Sequence, residues 1–202
     1  MTKKFINLIR RHQPQLSKEQ LEQVEYGLHS FFLLISKLFV ILTVGFFFNV
    51  AMAIVVFMVI HFFMKMHTFG LHTQSSWTCF WLSLILFILL PYIAINTLIS
   101  FPLKVVIGSI SVPMIYKNSP ADTHKKPIIN RTKRRHHQIS ATTTALLFVV
   151  LSLTVSNDFV ANSFLFSLMI QTLTTSPVVY SWLKLPYNNY LKFAKGGVLW
   201  DN

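Results

Sequence analysis

Long apolar runs separated by short clusters of lysine and arginine restrict this chain more than any other feature. Only 12% of its 202 residues are charged, while 53% are hydrophobic. Soluble domains carry about 25% charged residues. A water-soluble core of this size cannot enclose so much apolar surface, because surface-to-volume scaling limits it. The pattern predicts an all-α fold: one domain over residues 1–202, built as a polytopic helical bundle in a membrane.

Ser17 and Gln20 have capping-box spacing. Leu21, Val24, Leu28 and Phe31 then recur every three or four residues, which predicts an amphipathic helix leading into the first span. Residues 1–28 are therefore an interfacial, cytoplasmic segment. About six spans are expected, near 29–48, 50–65, 77–95, 99–116, 141–156 and 160–176. Asn49 and the Asn157-Asp158 pair supply reversals. The fourth run contains Pro102, Lys104 and Pro113. Four spans, with that run and a later one re-entrant, are the alternative.

A net charge of +12 often signals nucleic acid. Here the basic residues lie between apolar runs, so they point to topology and anionic lipid headgroups, and no nucleic-acid partner is expected. With both ends cytoplasmic, the inner side receives residues 1–16, the Lys65–Trp77 segment, the loop 117–139 and the tail 178–202. Every Lys and Arg then falls inside except Lys37 and Lys104. The loop holds Lys117, Lys125, Lys126, Arg131, Lys133, Arg134 and Arg135, and His136 and His137 extend its basic run. A single cysteine excludes an internal disulfide and a CxxC zinc site. His67 and His72 have no neighbouring carboxylate, and no G-x-S-x-G elbow, H-E-x-x-H or P-loop occurs. No metal and no cofactor are expected. The basic start M-T-K-K-F-I-N-L-I-R-R-H lacks the long apolar core and cleavage site of a removable signal peptide.

The segment F-G-L-H-T-Q-S-S-W-T-C, residues 69–79, sets His72 seven positions before Cys79 at the mouth of an apolar run. A free thiol has a pKa near about 8.5 and needs a base to become a nucleophile, a role that a neighbouring imidazole fills. On one straight helix the two side chains would lie about 10 Å apart along the axis, too far for a hydrogen bond of about 3 Å. Residues 73–78 are therefore expected not to be all regular helix, and T-Q-S-S-W-T suits a bend. A helix starting near Ser76 puts Cys79 in its first turn, where the helix dipole favours a thiolate. Gly70 permits a turn or a close approach just before His72. Gln74, Ser75 and Ser76 are near enough to orient His72 or to donate to an oxyanion.

Spacing alone also fits a buried cysteine acting as a small hydrophobe and a solvated interfacial histidine. The competing class is a membrane transporter or channel with Lys37, His61 and Lys104 as polar lining. His61 also fits a hydrogen bond between helices. A scaffold holding anionic lipid through residues 117–135 is a third reading.

The same segment, followed by L-I-L-F-I-L-L-P-Y, resembles the accessory gene regulator B (AgrB) endopeptidases, whose pattern is Gly-x-His, six further residues, then Cys. V-E-Y-G-L at 24–28, S-P-A-D-T at 119–123 followed by lysines, and S-P-V-V-Y near the last span extend the resemblance over about residues 20–190. It implies a multi-pass enzyme of the cell membrane in a Gram-positive bacterium, with Cys79 as nucleophile and His72 as base facing the cytoplasm. It implies cleavage of a quorum-sensing propeptide through a thioester, followed by closure of a thiolactone or lactone ring. The implied propeptide has an amphipathic amino-terminal helix and an acidic carboxyl-terminal tail, and the implied enzyme is a homodimer. An acidic tail would be drawn to Lys125, Lys126, Arg131, Arg134 and Arg135. Family members usually carry arginine shortly before Gly-x-His, where this chain has Lys65; lysine lacks the bidentate fork arginine offers a carboxylate.

Overall fold

The computed structural model describes residues 17–71, 76–121 and 128–191, together with Ile9 and Gln15. Among these residues the fold is helical, with α1 Lys18–Phe47, α2 Ala51–Thr68, α3 Ser76–Asn96, α4 Phe101–Asn118, α5 Arg131–Thr154, α6 Asp158–Thr175 and the short α7 Pro177–Trp182. The helix order follows the six expected runs. Three helices are long and apolar enough to cross a membrane, over Gln20–Phe47, Ala51–Thr68 and Arg131–Thr154, and Phe80–Asn96 is a shorter apolar helix.

Each helix start and reversal has a local cause. The Ser17 hydroxyl accepts from the Gln20 N–H at 3.2 Å, and the Ser17 N–H donates to Gln20 Oε1 at 2.9 Å, closing the expected capping box. Asn49 takes a left-handed φ of 56° and turns α1 back along α2. Asn130 caps α5 and Asn157 caps α6, each accepting from the N–H three residues on.

α6 is the hub, packed against α2, α3, α4 and α5. Its buried face is polar: Asn162, Ser163, Ser167, Gln171, Thr172 and Thr175 are all enclosed. Ser163, Thr172 and Thr175 donate back to carbonyls four residues earlier, so these hydroxyls need no partner from another helix. A helix wrapped by other helices is screened from lipid and does not need an apolar surface. That explains how the central helix tolerates its polar residues. Ile60 and Met64 of α2, Ile115 of α4, Ala141, Ala145 and Phe148 of α5 and Leu168 of α6 form the main apolar core around it. Gly108 marks the close approach of α4 to α5, since a Cβ there would lie 2.9 Å from Val149 Cγ1. On the outside, Leu34, Phe39, Phe46, Met52, Val59 and Phe62 are exposed, the apolar outer face a bilayer requires.

Side-chain contacts show which helix ends meet. At one end, Asn162 Nδ2 near the start of α6 donates to the carbonyls of Ala94 and Thr97 at the end of α3, at 3.1 and 2.7 Å. At the other, Gln138 Nε2 in α5 donates to the Tyr116 carbonyl in α4, and the His67 and His137 rings lie 6.2 Å apart. This second end gathers the end of α2, the end of α4, the start of α5 and the end of α6.

Candidate active site

The chain leaving α2 toward His72 is held on both sides. The Thr68 carbonyl accepts from the Ala121 N–H at 3.0 Å, and the Gly70 N–H donates to the Ala121 carbonyl at 3.2 Å. These bonds make Phe69 and Ala121 an isolated parallel bridge. The Leu71 N–H then donates to the Thr174 carbonyl in the last turn of α6, at 3.1 Å. Three of the last backbone groups before His72 are thereby fixed to two separate parts of the bundle.

The turn needs its glycine. Phe69 and Gly70 both have positive φ, 57° and 110°. A Cβ on Gly70 would lie 3.2 Å from Thr174 Oγ1 and 3.5 Å from Gln171 Oε1. The expectation that the chain turns and closely approaches a neighbour at Gly70 is met, and the neighbour is α6. Behind Gly70, the Thr174 hydroxyl donates to Gln171 Oε1 at 2.7 Å, and Gln171 is only 1% exposed.

Cys79 sits in the first turn of α3 as defined by Ser76–Asn96. The side chains of Cys79 and Ser76 lie outside the description, and so do His72, Gln74 and Ser75 entirely, with the bend expected after His72. Trp77, Phe80 and Trp81 form an aromatic cluster around that first turn, with ring centroids 5.5–6.0 Å apart.

The basic residues collect at the same end of the bundle. Lys65 is exposed in the last turn of α2, and Lys117 in the last turn of α4. Arg131, Lys133 and Arg135 are exposed in the first turns of α5. Arg134 is half-buried, its guanidinium 3.7 Å from the centre of the Tyr190 ring, which ties the tail to α5. Lys125 and Lys126 lie outside the described residues.

The polar residues of the competing channel reading, Lys37, His61 and Lys104, stand on three different helices, α1, α2 and α4. His61 Nδ1 lies 3.2 Å from Ser167 Oγ, and the His61 ring packs against Phe57 and Phe87. That is the interhelical hydrogen bond expected of it. Lys104 is buried in α4, and Lys37 is half-buried in α1. No group of three or more metal-ligating side chains occurs among the described residues.

Reading the sequence missed Gln171, Thr174 and the role of Ala121. A signal existed: polar residues inside an apolar run face the protein interior, and Q-T-L-T-T ends the last long run.

Comparison with known proteins bears on the whole chain. The family model described as Accessory gene regulator B matches residues 2–175. The Accessory gene regulator protein B of Staphylococcus aureus strain Newman is 29% identical over 161 residues, which is 80% of this chain and 84% of that protein. A putative AgrB-like protein of Clostridium acetobutylicum is 22% identical over 176 residues, 87% of this chain and 84% of its own length. No solved structure matches significantly. The family match runs through α1 to α6 and includes the segment joining α2 to α3, so it covers the bundle and not one motif; the chain belongs to the accessory gene regulator B family.

Proposed function

We propose that this protein is a membrane cysteine endopeptidase that removes the carboxyl-terminal tail of a quorum-sensing propeptide and promotes closure of the remaining segment into a ring. One observation carries the reading: the Gly-x-His…Cys segment begins at a clamped turn on α6 and ends in the first turn of α3. Such a turn favours a thiolate, and such a clamp restricts where a base can stand.

His72 takes the Cys79 proton, and the Cys79 sulfur adds to the scissile carbonyl. The C–N bond then breaks, the imidazolium gives its proton to the leaving amine, and the peptide remains as a thioester on Cys79. An internal cysteine or serine of the peptide attacks that thioester carbonyl. The bond to Cys79 breaks, a thiolactone or lactone forms, and the attacking group's proton returns to the enzyme. Water would compete for the thioester, so the site must be enclosed; a boundary between packed helices serves that need. The basic end of the bundle faces the cytoplasm in this reading, as the positive-inside rule requires. There Lys65, Arg131, Arg134 and Arg135, with Lys125 and Lys126, attract an acidic tail and anionic lipid headgroups. The enzyme acts as a homodimer, on the strength of its family.

The test is processing of the precursor by membranes carrying the native protein, Cys79→Ala or His72→Ala. Both variants are expected to accumulate in the membrane and to release no cleaved peptide. Processing retained by either one rejects the peptidase; a channel or lipid scaffold predicts insensitivity to Cys79.

A further inference from the structure

We propose that Gln171 and Thr174 of α6 are positioning residues for the His72 base; the inference rests on the Cys–His reading above. A single residue, Leu71, separates His72 from the Thr174 carbonyl that holds the Leu71 N–H at 3.1 Å. One residue earlier, Gly70 is seated against the Thr174 hydroxyl and the Gln171 amide. That hydroxyl and amide are bonded to each other at 2.7 Å, and the amide is buried. The pair therefore forms a fixed wall, and the backbone entering the catalytic segment is pressed on it and bonded beside it.

Two features argue that the wall does more than hold helices together. The hydrogen bonds at this point go to irregular chain, not to another helix: the Thr68 carbonyl and the Gly70 N–H are satisfied by Ala121 and the Leu71 N–H by the Thr174 carbonyl, where a helix or strand would satisfy them internally. The conformation it supports is also costly, with two consecutive positive φ values, one of them on the non-glycine Phe69. Such a conformation persists only where its surroundings enforce it, and a base must stand within hydrogen-bond reach of its thiol. A misplacement of about 1 Å costs a rate about 100-fold.

The experiment uses the full chain in membranes and reads two quantities. The first is the pH dependence of iodoacetamide alkylation, which reports one site because Cys79 is the sole cysteine. An imidazole held beside the thiol lowers the midpoint of that curve, and His72→Ala marks the midpoint without it. The second is precursor turnover, split into kcat and KM. Thr174→Val keeps the shape of the side chain and removes its hydroxyl; Gln171→Asn keeps the amide and withdraws it by one methylene. Each is expected to move the alkylation midpoint toward that of His72→Ala and to lower kcat about 10- to 100-fold with little change in KM. Thr174→Ser, which restores the hydroxyl, is expected to return both to native values. Native midpoints and native kcat in both Thr174→Val and Gln171→Asn overturn the positioning role. A native midpoint in His72→Ala itself overturns the Cys–His reading beneath it, so the two failures are distinguishable.

Discussion

The Leu71 N–H and the Thr174 carbonyl meet at 3.1 Å, joining the chain just before the His72–Cys79 segment to the last turn of the central helix. About a hundred residues of sequence lie between these partners, and α3, α4, α5 and most of α6 are folded into that interval. The segment's starting point is therefore set by the packing of the bundle and not by its own local preferences.

Gly70 is the residue most sensitive to substitution in this arrangement. At φ 110°, an alanine would be strained by about 1–3 kcal/mol, and its Cβ would crowd Thr174 Oγ1 at 3.2 Å. Gly70→Ala is expected to lower precursor processing at least about tenfold. Gly27→Ala is the control, because a Cβ there meets nothing within 4 Å. Equal processing by the two variants would remove the turn at Gly70 from any account of activity.

Asn162 couples α6 to the end of α3 far from the candidate site. Asn162→Leu leaves the Ala94 and Thr97 carbonyls without its two hydrogen bonds, a loss of about 1–3 kcal/mol. The expected result is a lower melting temperature in detergent, with Cys79 alkylation at its native pH midpoint. An unchanged melting curve would show that these bonds add nothing to stability.

His61 separates the structural from the channel reading. His61→Ala removes a ring packed on Phe57 and Phe87, and a large-to-small change in such a site costs about 2–5 kcal/mol. His61→Phe keeps the ring and loses only the Ser167 contact, which is worth about 0.6 kcal/mol between membrane helices. Melting should therefore fall strongly for alanine and slightly for phenylalanine, and processing should persist in the phenylalanine variant. A phenylalanine variant that melts normally yet fails to process would place His61 in the chemistry.

Arg131 and Arg135 are exposed at the basic end and bind no described core. If they attract an acidic peptide, Arg131→Gln with Arg135→Gln should raise KM about threefold at low salt and leave kcat unchanged. The difference from the native protein should shrink as salt screens the charges, over a length of about 10 Å at 0.1 M. KM values that coincide at every salt concentration would restrict these arginines to topology and lipid.

Much of the helical layout is legible from local signals. Ser17 and Gln20 announce the start of α1, Asn49 the first reversal and Asn157 the start of α6, because capping and turn formation depend on neighbours in sequence. The Gly-x-His…Cys spacing is legible for the same reason. Gln171 and Thr174 were not, since their side chains read as ordinary polar insertions in an apolar run until Gly70 is seen to lie against them.

Composition and the spacing of apolar runs determine that this chain is a helical membrane protein, because burial of so much apolar surface has no other outlet. Sequence also supplies a single thiol, Cys79, with the His72 imidazole seven residues before it. Only the tertiary structure decides that the polar residues of α6 face the interior and that Ala121 and Thr174 grip the chain before His72. The physical reason is that hydrogen bonds between distant backbone groups leave no trace in side-chain pattern. Any residue supplies the same N–H and C=O, and only packing chooses which of them meet.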